Sequence, residues 1–315
     1  MQARENFKNF YEKELQDQLM PLELKRKKAK QFSIIGSLFL VTAIILFFVA
    51  SKGESVAAAA AGLSVLILAI IVLIIYYSKK KHYTAEFKET IISEIIHFID
   101  PSFHYSPYGA ISRKDYENSG LFLQNPDRFT GDDYTEGMHD KTFFCFSELH
   151  TEYRVTNGKQ TSWVTIFKGL FFIGDFNKNF SGRTYVWSEQ NPQLNFFNKL
   201  FSSFSSNLEK VKLESAEFEK SFIVYSSDQV EARYILTPSF MERLVKLEKM
   251  MGNEISFSFV NTNINVAIPL NYSLFEPSVF SSNDYKSLED YYNTVYIVLE
   301  IIDELNLNLR IWSKE

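Results

Sequence analysis

Two uncharged apolar runs stand close together near the start of this 315-residue chain: Phe32 to Ala50, nineteen residues, and Val56 to Tyr77, twenty-two. At about 1.5 Å rise per residue they reach roughly 28 and 33 Å as helices, enough to cross the hydrocarbon layer of a bilayer. A pair of buried core helices is the bland alternative, but a core helix is seldom apolar around its whole circumference for this length. A cleaved signal peptide also fits poorly. The first run begins only after thirty-one charged and amphipathic residues, and a second follows at once.

Only Ser51, Lys52, Gly53, Glu54 and Ser55 separate the runs, so the two helices must return on each other as an antiparallel hairpin. Lys25, Arg26, Lys27, Lys28 and Lys30 precede the first, and Lys79, Lys80 and Lys81 follow the second. Because basic residues stay on the cytoplasmic side, the short loop is the part expected to cross, with both termini inside at a bacterial inner membrane. Ala57, Ala58, Ala61 and Gly62 place small residues where helix backbones approach, and packing on the first span explains them more simply than oligomerisation. Neither span carries an ionisable residue, which argues against ion or solute transport by the hairpin itself.

Charge divides along the chain in a way its net −5 conceals. Residues 1–31 carry eight basic and five acidic groups and the trio at 79–81 adds three more positives, which leaves −11 on residues 82–315. The basic flanks suit anionic headgroups, whereas the acidic body suits a basic protein partner and excludes a nucleic-acid surface. With 46% hydrophobic and 16% aromatic residues the body must hold a packed core. A single cysteine, Cys145, excludes an internal disulfide and a multi-cysteine metal centre.

The organisation expected is an amphipathic helix in residues 1–31, the hairpin 32–77, a juxtamembrane helix 84–100 and an α+β body over 101–315, with a sub-boundary near 190–210. Phe7, Tyr11, Leu15 and Leu19 form one apolar stripe, which Pro21 should interrupt, and which is free to dock on the body or a partner. Thr84 can cap a helix with Phe87, Ile91, Ile95 and Phe98 in line, continuing the second span until Pro101 stops it. Residues 101–137, rich in Pro, Gly, Asn and Asp, predict turns with short strands between them. Then Phe143, Cys145, Leu149, Tyr153 and Val155 alternate with Glu148, His150, Glu152 and Arg154, as in a half-buried strand, and Asn157-Gly158 turns it into a second strand over 162–176.

Further on, strands are predicted at 211–215 and 218–225. Asp228 and Glu231 have capping-box spacing, and Thr237-Pro238 opens a helix bearing Phe240, Leu244, Leu247 and Met251 that Gly252 ends. Ile255, Phe257 and Phe259 pair with Ile264, Val266 and Ile268 across a turn at 261–263, and an amphipathic helix over 284–305 turns Tyr285, Leu288, Tyr292, Val295, Leu299 and Ile302 inward. The order predicts a mainly antiparallel sheet with flanking helices.

Two stretches resemble a bacterial membrane-protein family known only as a domain of unknown function, number 3137. One is Phe167-Lys168-Gly169-Leu170-Phe171-Phe172 with Asp175-Phe176-Asn177-Lys178, Phe180, Gly182 and Thr184; the other holds Val211, Leu213-Glu214-Ser215, Phe218-Glu219-Lys220, Phe222, Val224-Tyr225, Asp228 to Tyr234 and Leu236-Thr237-Pro238. Ser119-Gly120-Leu121-Phe122 fits the entry into that family's domain, and the likeness extends over roughly residues 84–312, with a similar pair of spans before it. The resemblance implies a membrane-anchored protein without assigned activity and transfers no catalytic residue. It also implies, by analogy, a partner of the LemA type.

Several side-chain groups carry residue types that chemistry could use. Glu148, His150 and Glu152 project to one side of a strand about 7 Å apart, too far for one zinc, with His139 and Asp140 as the nearest further ligands; a solvated face is the simpler account. Asp127, Arg128, Asp132 and Asp133 around Gly131 could hold a divalent cation or supply an acid and a base, but lack EF-hand spacing, so Asx turns and an ion pair suffice. Asp228 with Arg233 reads as a cap and a structural salt bridge, and Cys145 as an inert buried thiol. Gly169, Gly174 and Gly182 are spaced like turn residues of a sheet, and no phosphate loop, nucleophile elbow or zinc-protease motif occurs. Phe196, Phe197, Leu200, Phe201 and Phe204 could face a membrane interface or a groove, or simply pack in the body.

No catalytic residue, metal or cofactor is singled out, and nothing sets an oligomeric state. The expected function is a membrane-anchored recruitment module. The alternatives are a membrane-bound hydrolase or metal-dependent enzyme sited between Asp127 and His150, and an accessory subunit of an envelope or transport complex.

Overall fold

The computed structural model describes residues 2–53, 55–176, 178–189, 208–252, 254–305 and 307. The phenylalanine-rich 196–204 segment lies outside the described residues. The chain divides into two compact units, one of residues 1–98 and 275–292, the other of residues 99–274 and 293–315.

The first unit is helical. α1 (Gln2–Phe10) and α2 (Gln16–Gly53) join through a π-helical turn at Tyr11–Leu15, and α3 (Val56–Phe87) and α4 (Ser93–Ile99) join through another at Lys88–Ile92. Both helices are long and apolar enough to cross a membrane. Leu38, Ile44 and Ile74 are 60–62% exposed, which a core helix would not tolerate. The faces that meet are lined by small residues seven apart, Ala29, Gly36 and Ala43 on one helix and Gly62 and Ala69 on the other, all buried. A seven-residue repeat keeps a seam facing its partner along two helices. Gly62 packs on Leu46 and Phe47 of the first span, whereas Ala57 and Ala61 are exposed.

Pro21 does not interrupt the first helix. It removes the N–H that would bond the carbonyl of Asp17, but both residues face outward, while Leu15, Leu19 and Leu22 on the opposite side are buried. Nor does Thr84 start a helix: α3 runs straight through it and Ser55 caps the N-terminus instead. The Phe7 stripe docks within this unit, where Phe7 stacks on Tyr292 at 4.5 Å and Phe10 on Phe98 at 4.2 Å.

The second unit is built on one nine-stranded sheet, antiparallel throughout, in the order β1-β2-β3-β4-β9-β8-β5-β7-β6. The strands are β1 (His104–Ser106), β2 (Arg128–His139), β3 (Thr142–Asn157), β4 (Gln160–Asp175), β5 (Arg183–Ser188), β6 (Glu209–Lys210), β7 (Phe222–Ser226), β8 (Ser256–Val260) and β9 (Asn263–Pro269). The α+β expectation holds, as do the turn at Gly158 (φ 61°) and the 256–269 hairpin closed by Asn261 (φ 59°).

Of the short helices α5 (Arg113–Asn118), α6 (Ala216–Ser221) and α7 (Gln229–Ile235), the second replaces half of the strand expected at 218–225. Ser215 caps it by accepting from the Phe218 N–H, and Glu and Lys then favour a turn of helix before the aromatic strand begins. α8 (Pro238–Met251) starts and stops where Thr237, Pro238 and Gly252 require. α9 (Tyr285–Glu304) gives its first eight residues to the helical unit and the rest to this one.

Both faces of β3 are covered. Cys145 and Leu149 join Ile111, Tyr116, Leu121, Phe171 and Trp187 on one side, while Phe144 and Phe146 are fully buried on the other, with Phe103 edge-on to Phe144 at 5.2 Å. The half-buried strand expected from its alternation is therefore a doubly buried one, except at Phe143 near its start and at its far end, where residues 154–157 are exposed.

Candidate functional site

The strongest convergence of ionisable groups follows from one irregularity in β2. Asp132 lies opposite Glu148 and Thr135 opposite Phe146, so β2 contributes one residue more than β3 between these rungs. The extra length is a β-bulge, and Asp133 within it takes a left-handed conformation with φ 58°, which aspartate tolerates better than most residues. The kink turns Asp133 inward: one oxygen each of Asp132, Asp133 and Glu148 lies within 4.8 Å of the others. Asp133 is completely buried and Glu148 nearly so.

Buried carboxylates are held only where donors meet them. Tyr105 donates to Asp133 Oδ1 at 2.6 Å, and the Leu274 N–H donates to Glu148 Oε2 at 2.6 Å. The backbone of the bulge is tied as well, with Asp133 N–H donating to the Pro107 carbonyl at 3.2 Å and Tyr134 N–H to that of Gly109 at 3.1 Å. Three hard oxygen donors match calcium or magnesium chemistry in kind. What the contacts accomplish is structural: they fasten β1, the 107–109 turn and Leu274 to the β2–β3 ladder. Glu148 is thus not on a solvated face, as its strand alternation suggested.

The other residues weighed for chemistry disperse. Glu152 pairs with Arg128 at 2.8 Å, and Arg128 lies 4.0 Å over the Trp163 ring. His150 stands 3.8 Å from Glu152 and Asp127 accepts from the Arg154 N–H at 2.7 Å. His139 pairs with Thr142 at the start of β3, eight residues along the strand from His150, which pairs with Thr130, so it supplies no ligand there. It meets Asp303 at 3.0 Å, with Asp140 completing a trio in which the two aspartates are exposed and His139 is half-buried. Burial pushes the Cys145 thiol up to about 12, as befits an unreactive core sulfur.

The two stretches that carried the family resemblance meet each other. Asp228 caps α7 by accepting from the N–H groups of Val230 and Glu231, both at 2.9 Å. Glu231 does not complete a capping box; it reaches across to accept from the N–H groups of Ser181 at 3.0 Å and Gly182 at 2.8 Å. Lys178 stands 3.9 Å from Glu231 and 4.1 Å over the Tyr234 ring, and burial lowers its pKa against the pull of that carboxylate. Arg233 donates to the Gln229 carbonyl of its own helix at 3.0 Å, in place of the salt bridge expected.

Gly169 and Gly174 lie inside β4, not in turns. At Gly169 (φ 151°) any side chain would run into the Ile268 carbonyl of β9. Ser119 to Phe122 also serve packing: the Ser119 carbonyl accepts from Ser258 Oγ at 2.7 Å and that of Leu121 from the Trp187 indole at 3.1 Å. These motifs therefore knit loops to the sheet. The bulge at Asp132–Asp133 was hidden from sequence reasoning, although Gly-Asp-Asp inside a strand-like run is the signal that could have marked it.

No curated protein matches the chain. Among solved structures, the mycobacterial trehalose monomycolate transport factor A, TtfA, is similar at 9% identity with a TM-score of 0.32, covering 66% of this chain and 90% of that one. Both knitted stretches fall within residues 165–307, which match the family described as "Protein of unknown function (DUF3137)".

Proposed function

We propose that this is a two-pass protein of the bacterial inner membrane whose sheet domain hangs in the cytoplasm and recruits a basic protein partner without catalysing a reaction. The observation that carries the reading is the agreement between the two helices. Lys25 pairs with Glu86 and Gly36 packs on Leu73, so Lys28 and Lys30 stand level with Lys79 to Lys81, and both apolar runs begin at one common boundary. Such a collar favours the cytoplasmic face, and it brings both long ends of the chain to one side. The −11 on residues 82–315 favours a partner of opposite sign. The side chains weighed for chemistry are engaged in caps, ion pairs and a buried lock, which also supports recruitment over catalysis.

The test joins topology to capture. A green fluorescent protein fused after Glu315 should fluoresce and alkaline phosphatase at the same place should be inactive, and a stoichiometric partner should copurify at low salt and dissociate at high salt. An active phosphatase fusion would refute the orientation. A purified full-length protein that turns over a small molecule would refute recruitment as its role.

A further inference from the structure

The loop between Phe275 and Asn283 belongs to the helical unit although it follows the hairpin by some two hundred residues. Four ties fasten it there. Glu276 pairs with Lys88 at 3.2 Å, the Val279 carbonyl accepts from Arg26 at 2.8 Å, the Phe280 carbonyl accepts from Lys30 at 3.4 Å, and Asn283 donates to the Tyr83 hydroxyl. Arg26 is only 6% exposed, and its fork also holds Glu23, so this attachment is built into the packing rather than a surface contact. Ser278 Oγ accepts from the N–H groups of Phe280 at 3.2 Å and Ser281 at 3.1 Å, which fixes the turn.

At the top of this turn Phe280 is 58% exposed. Its height is set by Lys30, which precedes the first apolar run by two residues, or about 3 Å of helix. The headgroup layer on each side of a bilayer is roughly 5–7 Å thick. A phenylalanine whose carbonyl meets Lys30 Nζ stands near the level of that layer, beside Lys30. An interface rich in anionic lipid accepts both an exposed apolar ring and the lysine beside it.

We propose that the 278–282 turn is a second membrane contact, with Phe280 seated in the headgroup layer beside the hairpin. This rests on the reading of the hairpin as a membrane anchor, and the test separates the two. Nitroxide labels are placed singly at F280C, S281C, F47C and K286C in a C145A background of the full chain, in nanodiscs containing phosphatidylglycerol. Collision rates with oxygen and with a water-soluble nickel chelate then report depth.

The F47C label should lie in hydrocarbon and the K286C label in water. The F280C label, and the S281C label with Phe280 intact, should sit between them, about 5–10 Å from the water boundary. Labels at 280 and 281 as open to nickel as the one at 286, with position 47 in hydrocarbon, would overturn the proposal and leave the anchor standing. Nickel access at position 47 would overturn both. Shielding of positions 280 and 281 from both reagents would mean that protein covers the turn, and would equally overturn it.

Discussion

Gly36 decides how closely the two long helices approach, and changing it tests the hairpin directly. A Cβ at this position would stand 2.9 Å from Leu73 Cδ2, 3.1 Å from Leu73 Cγ and 3.3 Å from Val72 Cγ1. The nearest atoms are ends of flexible side chains, so Gly36→Ala sets a small displacement of Leu73 against about 1 kcal/mol of improved helix propensity and should change stability by less than that. Gly36→Ile adds a branched side chain that Leu73 cannot clear. Overpacking of this kind costs about 1–3 kcal/mol, against a propensity gain of about 0.5 kcal/mol. A net loss of roughly 1–2 kcal/mol is expected, read as a lower melting temperature by far-UV circular dichroism in nanodiscs. Leu38→Ile, at a side chain 61% exposed on the outer face, is the control and should be neutral.

Leu73→Ala supplies the decisive arm. It removes the group that clashes, so Gly36→Ile with Leu73→Ala should be more stable than the sum of the single losses by about 1 kcal/mol or more. Additive losses, or a Gly36→Ile protein indistinguishable from Leu38→Ile, would refute the assignment of Gly36 to the helix seam.

Other expectations follow from individual contacts. Lys88 is 2% exposed and its partner Glu276 37%, so Glu276→Ala should cost about 1–2 kcal/mol, less than a fully buried pair, and adding Lys88→Met should restore most of it in chemical denaturation. The hydrogen bond from Arg26 holds the Glu23 carboxyl below its ordinary 4.5. Since its folded value is depressed, its contribution is complete above 4.5 and fades as pH falls through the folded value; Glu23→Gln should flatten that acid limb in proteolysis of the helical unit. Cys145 should react with maleimide only as fast as the protein unfolds, and rapid labelling of the native state would contradict its burial.

Much of this architecture is legible because local chemistry and tertiary packing agree. Thr237-Pro238 and Gly252 bound α8, Asn157-Gly158 turns β3 into β4, and the apolar runs declare their own length. Legibility fails where distant packing decides. Nothing near Glu148 reveals that its strand is covered on both faces, and nothing near His139 announces Asp303. The stretch 218–225 ends in a strand-like run of aromatic and β-branched residues, yet the Ser215 cap and Glu219-Lys220 turn its first half into one turn of helix. The carboxylate lock needed a single extra residue in β2, a shift that leaves composition untouched and changes every neighbour.

The way the chain is shared between its two units also bears on biosynthesis. The residues that cover Phe7, Tyr83 and Lys88 leave the ribosome roughly 200 positions after the hairpin has been made, a delay of about 10–40 s at ordinary elongation rates. For that interval the apolar flank of the helical unit has none of its late-made cover. It also means that no single proteolytic cut can release the sheet domain and leave the stalk whole.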